Sequence, residues 1–133
     1  MPPGPPTDFD GKLSLIGYRL ESSNVPRGDA FALTTYWQVT GDLGHSLAFF
    51  AHVIDASERI VGQYDGWGTA LRGLEVGDVI VQHVTVPIKP DTSPGSYILQ
   101  LGVYVPDTMT RWTVRLPSGD LADRVLLSSI TVR

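Results

Sequence analysis

Apolar and polar residues alternate with a period of two along most of the chain from about residue 12, which is the pattern of half-buried β-strands. Clusters of Gly, Pro, Asn, Asp and Ser separate the alternating segments and indicate turns. The pattern predicts strands at 12–20, 30–40, 46–55, 59–65, 78–87, 96–105, 109–116 and 124–132. Short strands at this spacing are typical of all-β proteins. We therefore expect an immunoglobulin-like sandwich of two antiparallel sheets with about seven to nine strands.

The segment "AFALTTYWQVT" (30–40) shows how the alternation identifies the core. Its more apolar face carries Phe31, Leu33, Thr35, Trp37 and Val39. Trp37 is thus expected to point between the sheets, where burial of an aromatic ring contributes about 2–3 kcal/mol, and Tyr36 to point outward. Tyr97 follows a Pro-Gly turn and is expected to hydrogen-bond across a corner of the sandwich. The expected core residues are Leu33, Trp37, Phe49, Ile60, Tyr97, Leu99, Leu101 and Val103.

The N-terminal stretch "MPPGPPTDFDG" differs from the remainder, since four of its first six residues are proline. Proline favours an extended, solvated backbone, so residues 1–11 are expected to form a flexible tail or linker. Residues 12–133 then form one domain, large enough to fold without a metal or a disulfide. The stretch has neither the basic start nor the apolar segment of a signal peptide. No apolar run approaches the roughly 20 residues that span a bilayer.

Composition excludes several functions. The 133 residues contain no cysteine, which excludes a thiol nucleophile, a cysteine-zinc site and a redox motif. The net charge is −4 and the ten Lys and Arg residues are scattered, so nucleic acid is not expected as a partner. Catalytic and nucleotide-binding motifs are absent, and the histidines His45, His52 and His83 are isolated. We expect no enzymatic activity, no metal and no cofactor.

His52 and Asp65 are the pair most suggestive of general-base chemistry. If the two strands form a tight hairpin through "DASER", His52 lies opposite Val61 or Gly62, and roughly 10–13 Å separates it from Asp65. The sequence therefore predicts no dyad. His52 is expected to be a half-buried strand residue with its own hydrogen bond, and Asp65 to cap the turn that follows it.

Aromatic residues outside the predicted core are the best indication of a ligand site. Trp67 lies in the glycine-flanked loop "DGWGTALRG", Tyr104 has the outward phase of its strand, and Trp112 fits either face. Sugar-binding sandwiches use such rings as platforms, with carboxylates or amides nearby. The candidate ligand-binding residues are Trp67, Trp112, Tyr104 and Asp65. The alternative is that Trp67 folds back over the end of the core.

The order of the segments "LIGYRL", "TTYWQ", "AHVID", "QYDGW", "PGSY" and "LGVY" resembles a β-sandwich domain found in bacterial membrane proteins. Many of those resemble polytopic glycosyltransferases, on which the domain is a soluble, extracytoplasmic, C-terminal appendage. The resemblance covers about residues 12–132. It marks framework positions at Trp37, His52, Asp65, Gly95, Tyr97, Gly102 and Tyr104. The chain departs from the family in the turn "DASER", which lacks the usual glycine.

The resemblance implies a non-catalytic accessory or interaction domain, located outside the cytoplasm and linked to a membrane glycan-processing system. Its partner would be a membrane protein or a glycan. The alternative function is a carbohydrate-binding module that uses the exposed aromatic residues. The sequence leaves the ligand and the oligomeric state open.

Overall fold

The computed structural model describes residues 7–43, 47–66 and 73–133. These residues contain twelve strands and no helix, and hence none that could cross a membrane. The strands are β1 (Thr7–Phe9), β2 (Leu13–Leu20), β3 (Asn24–Val25), β4 (Ala30–Val39), β5 (Ala48–Ile54), β6 (Ile60–Gly66), β7 (Val79–Pro87), β8 (Gly95–Val105), β9 (Thr110–Arg111), β10 (Val114–Arg115), β11 (Leu121–Ala122) and β12 (Val125–Val132).

Two sheets pack face to face and confirm the predicted sandwich. The first sheet has the strand order β11-β10-β1-β2-β4-β7. The second has the order β3-β12-β8-β5-β6, with β9 paired to β8. Neighbouring strands are antiparallel except β3 and β12, which are parallel. Seven predicted strands correspond within about two residues to the long strands β2, β4, β5, β6, β7, β8 and β12.

The predicted strand 109–116 is wrong, because this segment is divided between the two sheets. Its first half, β9, pairs with β8 in the second sheet. Its second half, β10, pairs with β1 in the first sheet. Trp112 lies between the two halves and is only 6% exposed. The alternating pattern continues through the crossover, so the sequence gives no sign of it.

Trp37 is completely buried between the sheets, as predicted. Its indole Nε1 donates a hydrogen bond to Thr35 Oγ1 at 2.8 Å, and Phe9 packs edge-on against it at 5.0 Å. The Tyr97 hydroxyl donates to the Ser93 carbonyl, which confirms the corner hydrogen bond. The other predicted core residues that are buried are Leu33, Phe49, Leu99, Leu101 and Val103.

Ile60 is the one predicted core residue that lies outside the core. It is only half-buried, whereas Val61 is buried within the core. Ile54 pairs with Ile60, but Val53 pairs with Gly62, so Val61 is an extra residue in β6. Such a β-bulge moves every following side chain of the strand to the other face. Strict alternation therefore assigned the wrong residue to the interior.

The domain begins earlier than the sequence indicates. The sequence predicts that residues 7–11 belong to the tail, but β1 (Thr7–Phe9) pairs with both β2 and β10. Phe9 is completely buried against Trp37. The burial of this one aromatic ring and the backbone pairing on both sides make β1 an integral strand of the first sheet.

Candidate functional site

The outer face of the second sheet carries a compact group of aromatic and polar side chains. We call it the outer-face cluster, and it consists of Phe50, His52, Gln63, Asp65, Tyr104 and Arg111. These residues come from the four strands β5, β6, β8 and β9. All seven residues of β5 are buried, although only alternate ones can face the sandwich core. Its outward residues are thus covered by side chains of neighbouring strands, and those at the centre of the strand by the cluster.

His52 and Asp65 form a hydrogen-bonded pair, which corrects the expectation from the sequence. The His52 Nε2 and Asp65 Oδ1 atoms are 3.2 Å apart. The bulge at Val61 is the reason, because it places Gln63 opposite His52 and Asp65 opposite Phe50. Asp65 then lies on the same face as His52, one diagonal step away. The sequence predicts that Asp65 caps the turn that follows it, but its carboxylate hydrogen-bonds to His52 and Gln63.

The environment of His52 favours its neutral form. Its pKa is lowered from the ordinary value of 6.5, first by burial and further by the positive charge of Arg111, while Asp65 acts in the opposite direction. Because a carboxylate only accepts hydrogen bonds, the proton of the neutral ring belongs on Nε2. His52 Nδ1 and the Oε1 atom of neighbouring Gln100 are buried and have no hydrogen-bond partner among the described residues.

Phe50 lies at the centre of the cluster and is 1% exposed. Its ring contacts the His52 ring at 4.7 Å and the Tyr104 ring at 6.3 Å between centroids. The guanidinium of Arg111 covers it at 4.4 Å, a cation–π contact. Beneath it, a Cβ atom on Gly102 would lie 2.3 Å from the ring, so only glycine leaves room for Phe50 there.

The rim of the cluster is accessible and polar. Gln63 and Asp65 are exposed, and Tyr104 and Arg111 are half-buried. Gln63 Nε2 donates to Asp65 Oδ2, and an ion pair of 3.0 Å with Asp123 holds Arg111 in place. Burial, followed by the charge of Asp65, raises the pKa of Tyr104, so its hydroxyl keeps its proton at neutral pH. The rim thus presents donors, acceptors and one aromatic ring within a small area.

The structure places the four predicted site residues in different environments. Asp65 and Tyr104 are brought together on either side of Phe50. Trp112 is buried in the sandwich core, with Lys12 Nζ 5.1 Å from its ring centre, so its ring faces cannot serve as a platform. Trp67 lies outside the described residues.

Sequence reasoning missed Phe50 and Arg111, which connect Asp65 with Tyr104, and it considered His52 but predicted no contact with Asp65. One signal was available. The segment "LAFFAHVI" is apolar in both phases, which is typical of a strand covered on both faces. The pattern predicts that other side chains cover the outer side of this strand. Which side chains these are depends on the register of the neighbouring strands.

A groove of about 630 Å³ lies elsewhere, between β2 and β12. It lies where both of these strands are irregular, since their registers shift between Leu15 and Gly17 and between Leu126 and Ser128. The Tyr18 hydroxyl crosses between the sheets there and donates to the Leu127 carbonyl at 2.6 Å. The groove is mainly apolar, and none of the four predicted site residues lines it.

Metal chemistry has no support in the described residues, where no three His, Asp or Glu side chains come close enough to share an ion. His52 binds Asp65, and His83 Nδ1 lies 2.9 Å from Thr34 Oγ1 on the other sheet. His45 lies outside the described residues. The outer-face cluster is a surface of hydrogen-bonding and aromatic side chains.

The fold and this surface together define a β-sandwich domain with a polar, aromatic patch on one sheet. Among solved structures, one described as the C-terminal domain of wzt is similar to it. The TM-score is 0.62 and the sequence identity 13%, over 96% of this chain and 77% of that chain. At this identity the similarity shows the fold alone. No family model matches the sequence, and no curated protein matches it.

Proposed function

We propose that this chain is a non-catalytic binding domain and that the outer-face cluster is the surface with which it contacts a glycan. The observation that carries the proposal is the convergence of aromatic rings and planar polar side chains from four strands on one face of the second sheet. Small-molecule sites typically combine an apolar base with a few well-placed polar groups. In the cluster, the buried Phe50 supports the accessible ring of Tyr104, and the polar side chains of the rim lie around them.

The rim matches the chemistry of a sugar. A sugar ring has apolar C–H faces that pack on aromatic rings, and hydroxyls that both donate and accept hydrogen bonds. The half-buried ring of Tyr104 offers the stacking surface. Asp65 accepts hydrogen bonds, the guanidinium of Arg111 donates them, and the Gln63 amide does both. The contacts among these side chains fix their positions before a ligand arrives, which reduces the entropy lost on binding.

Two features favour binding over catalysis. The His52 and Asp65 side chains hydrogen-bond to each other, and the imidazole is packed against Phe50. Only 7% of His52 is exposed, so a substrate has little access to the ring. A general base must come within hydrogen-bond reach of the proton it removes. The pair is better suited to holding Asp65 in a defined orientation.

The cellular setting is part of the proposal. The order of sequence motifs supports an accessory domain located outside the cytoplasm and linked to a membrane glycan-processing system, such as a polytopic glycosyltransferase. Fractionation of the native host, with an antibody against this chain, tests the location. Recovery of the chain in the cytoplasmic fraction alone would contradict this part of the proposal without affecting the glycan site.

Titration calorimetry and amide NMR with a panel of bacterial surface polysaccharides and their oligosaccharides test the glycan site. We expect saturable shifts on β5, β6 and β8. The substitution D65N should weaken binding about tenfold, the effect of losing one charge-assisted hydrogen bond. Y104A should weaken it further by removing the stacking surface. The matched control is Y36A, a half-buried tyrosine on the outer face of the first sheet. The proposal fails if the panel gives no binding, or if Y36A is as defective as Y104A.

A further inference from the structure

We infer that the edge of β7 (Val79–Pro87) that faces away from β4 is a docking surface for a second copy of this chain. The edge strands of the described sheets are β11, β7, β3 and β6. β11 and β3 have two residues each, and β6 is interrupted by its bulge. β7 is long and pairs with β4 without a register shift. It is therefore the one extended, regular edge in the described part of the sandwich.

The backbone hydrogen bonds at both ends of β7 show which residues point toward this edge. Val39 N bonds to Asp78 O, and Ile88 N bonds to Asp29 O, each at 2.8 Å. Hydrogen-bonded pairs recur every second residue in an antiparallel ladder. The even-numbered residues of β7 thus bond to β4, and the odd-numbered ones direct their N–H and C=O groups away from it. The groups so directed belong to Val79, Val81, His83 and Thr85.

These four residues also expose their side chains, with Val79 56% and Val81 45% exposed. Their outward backbone groups bond to no described residue. β6 lies against the C-terminal end of β7 near Pro87, and its backbone bonds to the residues just beyond it, where Lys89 N donates to Val61 O and Gly62 bridges to Ile88. Natural edge strands are usually guarded by lysine, proline or a bulge. β7 has only Pro87, at its far end.

The β7 strand of a second copy can supply hydrogen-bond partners for the outward backbone groups of this edge. If two β7 strands pair antiparallel about an axis at Gln82, Val81 pairs with the partner's His83 and Val79 with the partner's Thr85. This is the register that engages all the outward backbone groups of the four residues. The strand carries no Asp, Glu, Lys or Arg from Val79 to Pro87, so self-pairing creates no repulsion between like charges.

Charges outside the strand also favour this arrangement. Glu75 and Asp78 precede β7, whereas Lys89 follows it. Antiparallel pairing brings the acidic end of one strand toward the basic end of its partner. The interface is one strand wide and buries few apolar side chains, so it is small for a permanent dimer, and we expect association to depend on concentration.

Sedimentation velocity of the full chain, from micromolar to millimolar concentration, tests the docking surface. We expect the average mass to rise from one chain toward two. V81K should keep the protein at the mass of one chain, because it places two lysines beside the axis. The control L126K changes an exposed leucine on β12 and should behave like the parent. If V81K does not fold by circular dichroism, T85K replaces it. A parent chain that stays monomeric at millimolar concentration, or a folded lysine variant that associates normally, overturns the inference.

The register can be tested separately, since the chain contains no cysteine. Hydrogen-bonded antiparallel partners have Cα atoms about 5.5 Å apart, within the range that a disulfide spans. A mixture of the V81C and H83C variants should cross-link on oxidation faster than V81C alone. Equal rates would contradict pairing about Gln82.

Discussion

His52 and Asp65 are thirteen residues apart in the chain, yet a hydrogen bond of 3.2 Å joins them diagonally across β5 and β6. The single extra residue Val61 makes this contact possible, because it shifts all subsequent pairs of the hairpin by one. Without the shift, Asp65 would lie on the opposite face of the sheet from His52. One bulge therefore organises the outer-face cluster.

We expect stability to fall with acidification because of His52. Its pKa in the folded protein is below the ordinary value of 6.5. The unfolded chain therefore binds more protons than the folded chain between these two pKa values. Above pH 6.5, His52 should add nothing to the pH dependence of stability. As the pH falls from 6.5 through the lower pKa of the folded protein, the free energy of unfolding should decrease. Urea unfolding of the parent and H52Q across this range measures how the free energy of unfolding of each depends on pH. The same pH slope in both proteins would contradict the prediction.

The neighbours of His52 should move its pKa in opposite directions. D65N removes the charge that raises it, so the pKa should fall further. R111Q removes a charge that lowers it, so the pKa should rise. An NMR titration of the His52 ring carbon signals measures both, with His83 as an internal reference on the other sheet. Shifts of the same sign in the two variants would show that the contacts differ from those described here.

Substitution of Gly102 should destabilise the domain through Phe50. The new Cβ in G102A would lie 2.3 Å from the Phe50 ring. We expect a loss of about 1–3 kcal/mol, typical of overpacking, measured by urea unfolding. The controls are F50L and the double variant F50L/G102A, because the leucine side chain at position 50 is smaller and relieves the clash with the new Cβ. The double variant should lose less than the sum of the two single losses, and strict additivity would contradict the proposed steric cause.

Removal of the Gln82 amide should stabilise the protein. Gln82 is 2% exposed, and neither its Nε2 nor its Oε1 has a partner among the described residues. A buried amide without hydrogen bonds costs roughly 1–3 kcal/mol, so Q82L should raise the melting temperature and the free energy of unfolding. Q38L, at a half-buried position on β4, should change stability by less than about 0.5 kcal/mol. A destabilised Q82L would show that the amide has a partner in solution.

Loss of the Tyr97 hydroxyl should weaken the corner that it bridges. Its hydroxyl donates to the Ser93 carbonyl. Y97F keeps the buried ring and should lower the free energy of unfolding by about 1 kcal/mol, the usual contribution of one hydrogen bond. Y36F, at the half-buried outer position on β4, is the comparison. Equal effects of the two substitutions in denaturant unfolding would argue against the corner hydrogen bond.

Much of the fold follows from local pattern, and the exceptions share one cause. Alternation correctly predicted that Trp37 is buried, because each strand residue faces the side opposite to its neighbours. It was wrong for Ile60, where a bulge changes the phase, and it left the face of Trp112 open, where the chain crosses between sheets. Bulges and crossovers depend on which backbone groups of distant strands find partners. A single segment of sequence does not contain that information.

The candidate site was predictable only in part, for the same reason. Asp65 and Tyr104 were identified by residue type, but their relation to each other was not. That relation requires β5, β6 and β8 to be neighbours in a particular register, with Phe50 seated on Gly102 between them. Arg111 reaches the cluster from β9, which pairs with the C-terminal end of β8.

By itself, the sequence determined the class of fold, the positions of the long strands and most of the interior, since period-two alternation and turn residues act locally. The tertiary structure alone decided that β1 belongs to the sandwich, that Trp112 is buried and that His52 meets Asp65. Each of these outcomes depends on pairing between segments far apart in the chain, where a shift of one residue exchanges the two faces of a strand.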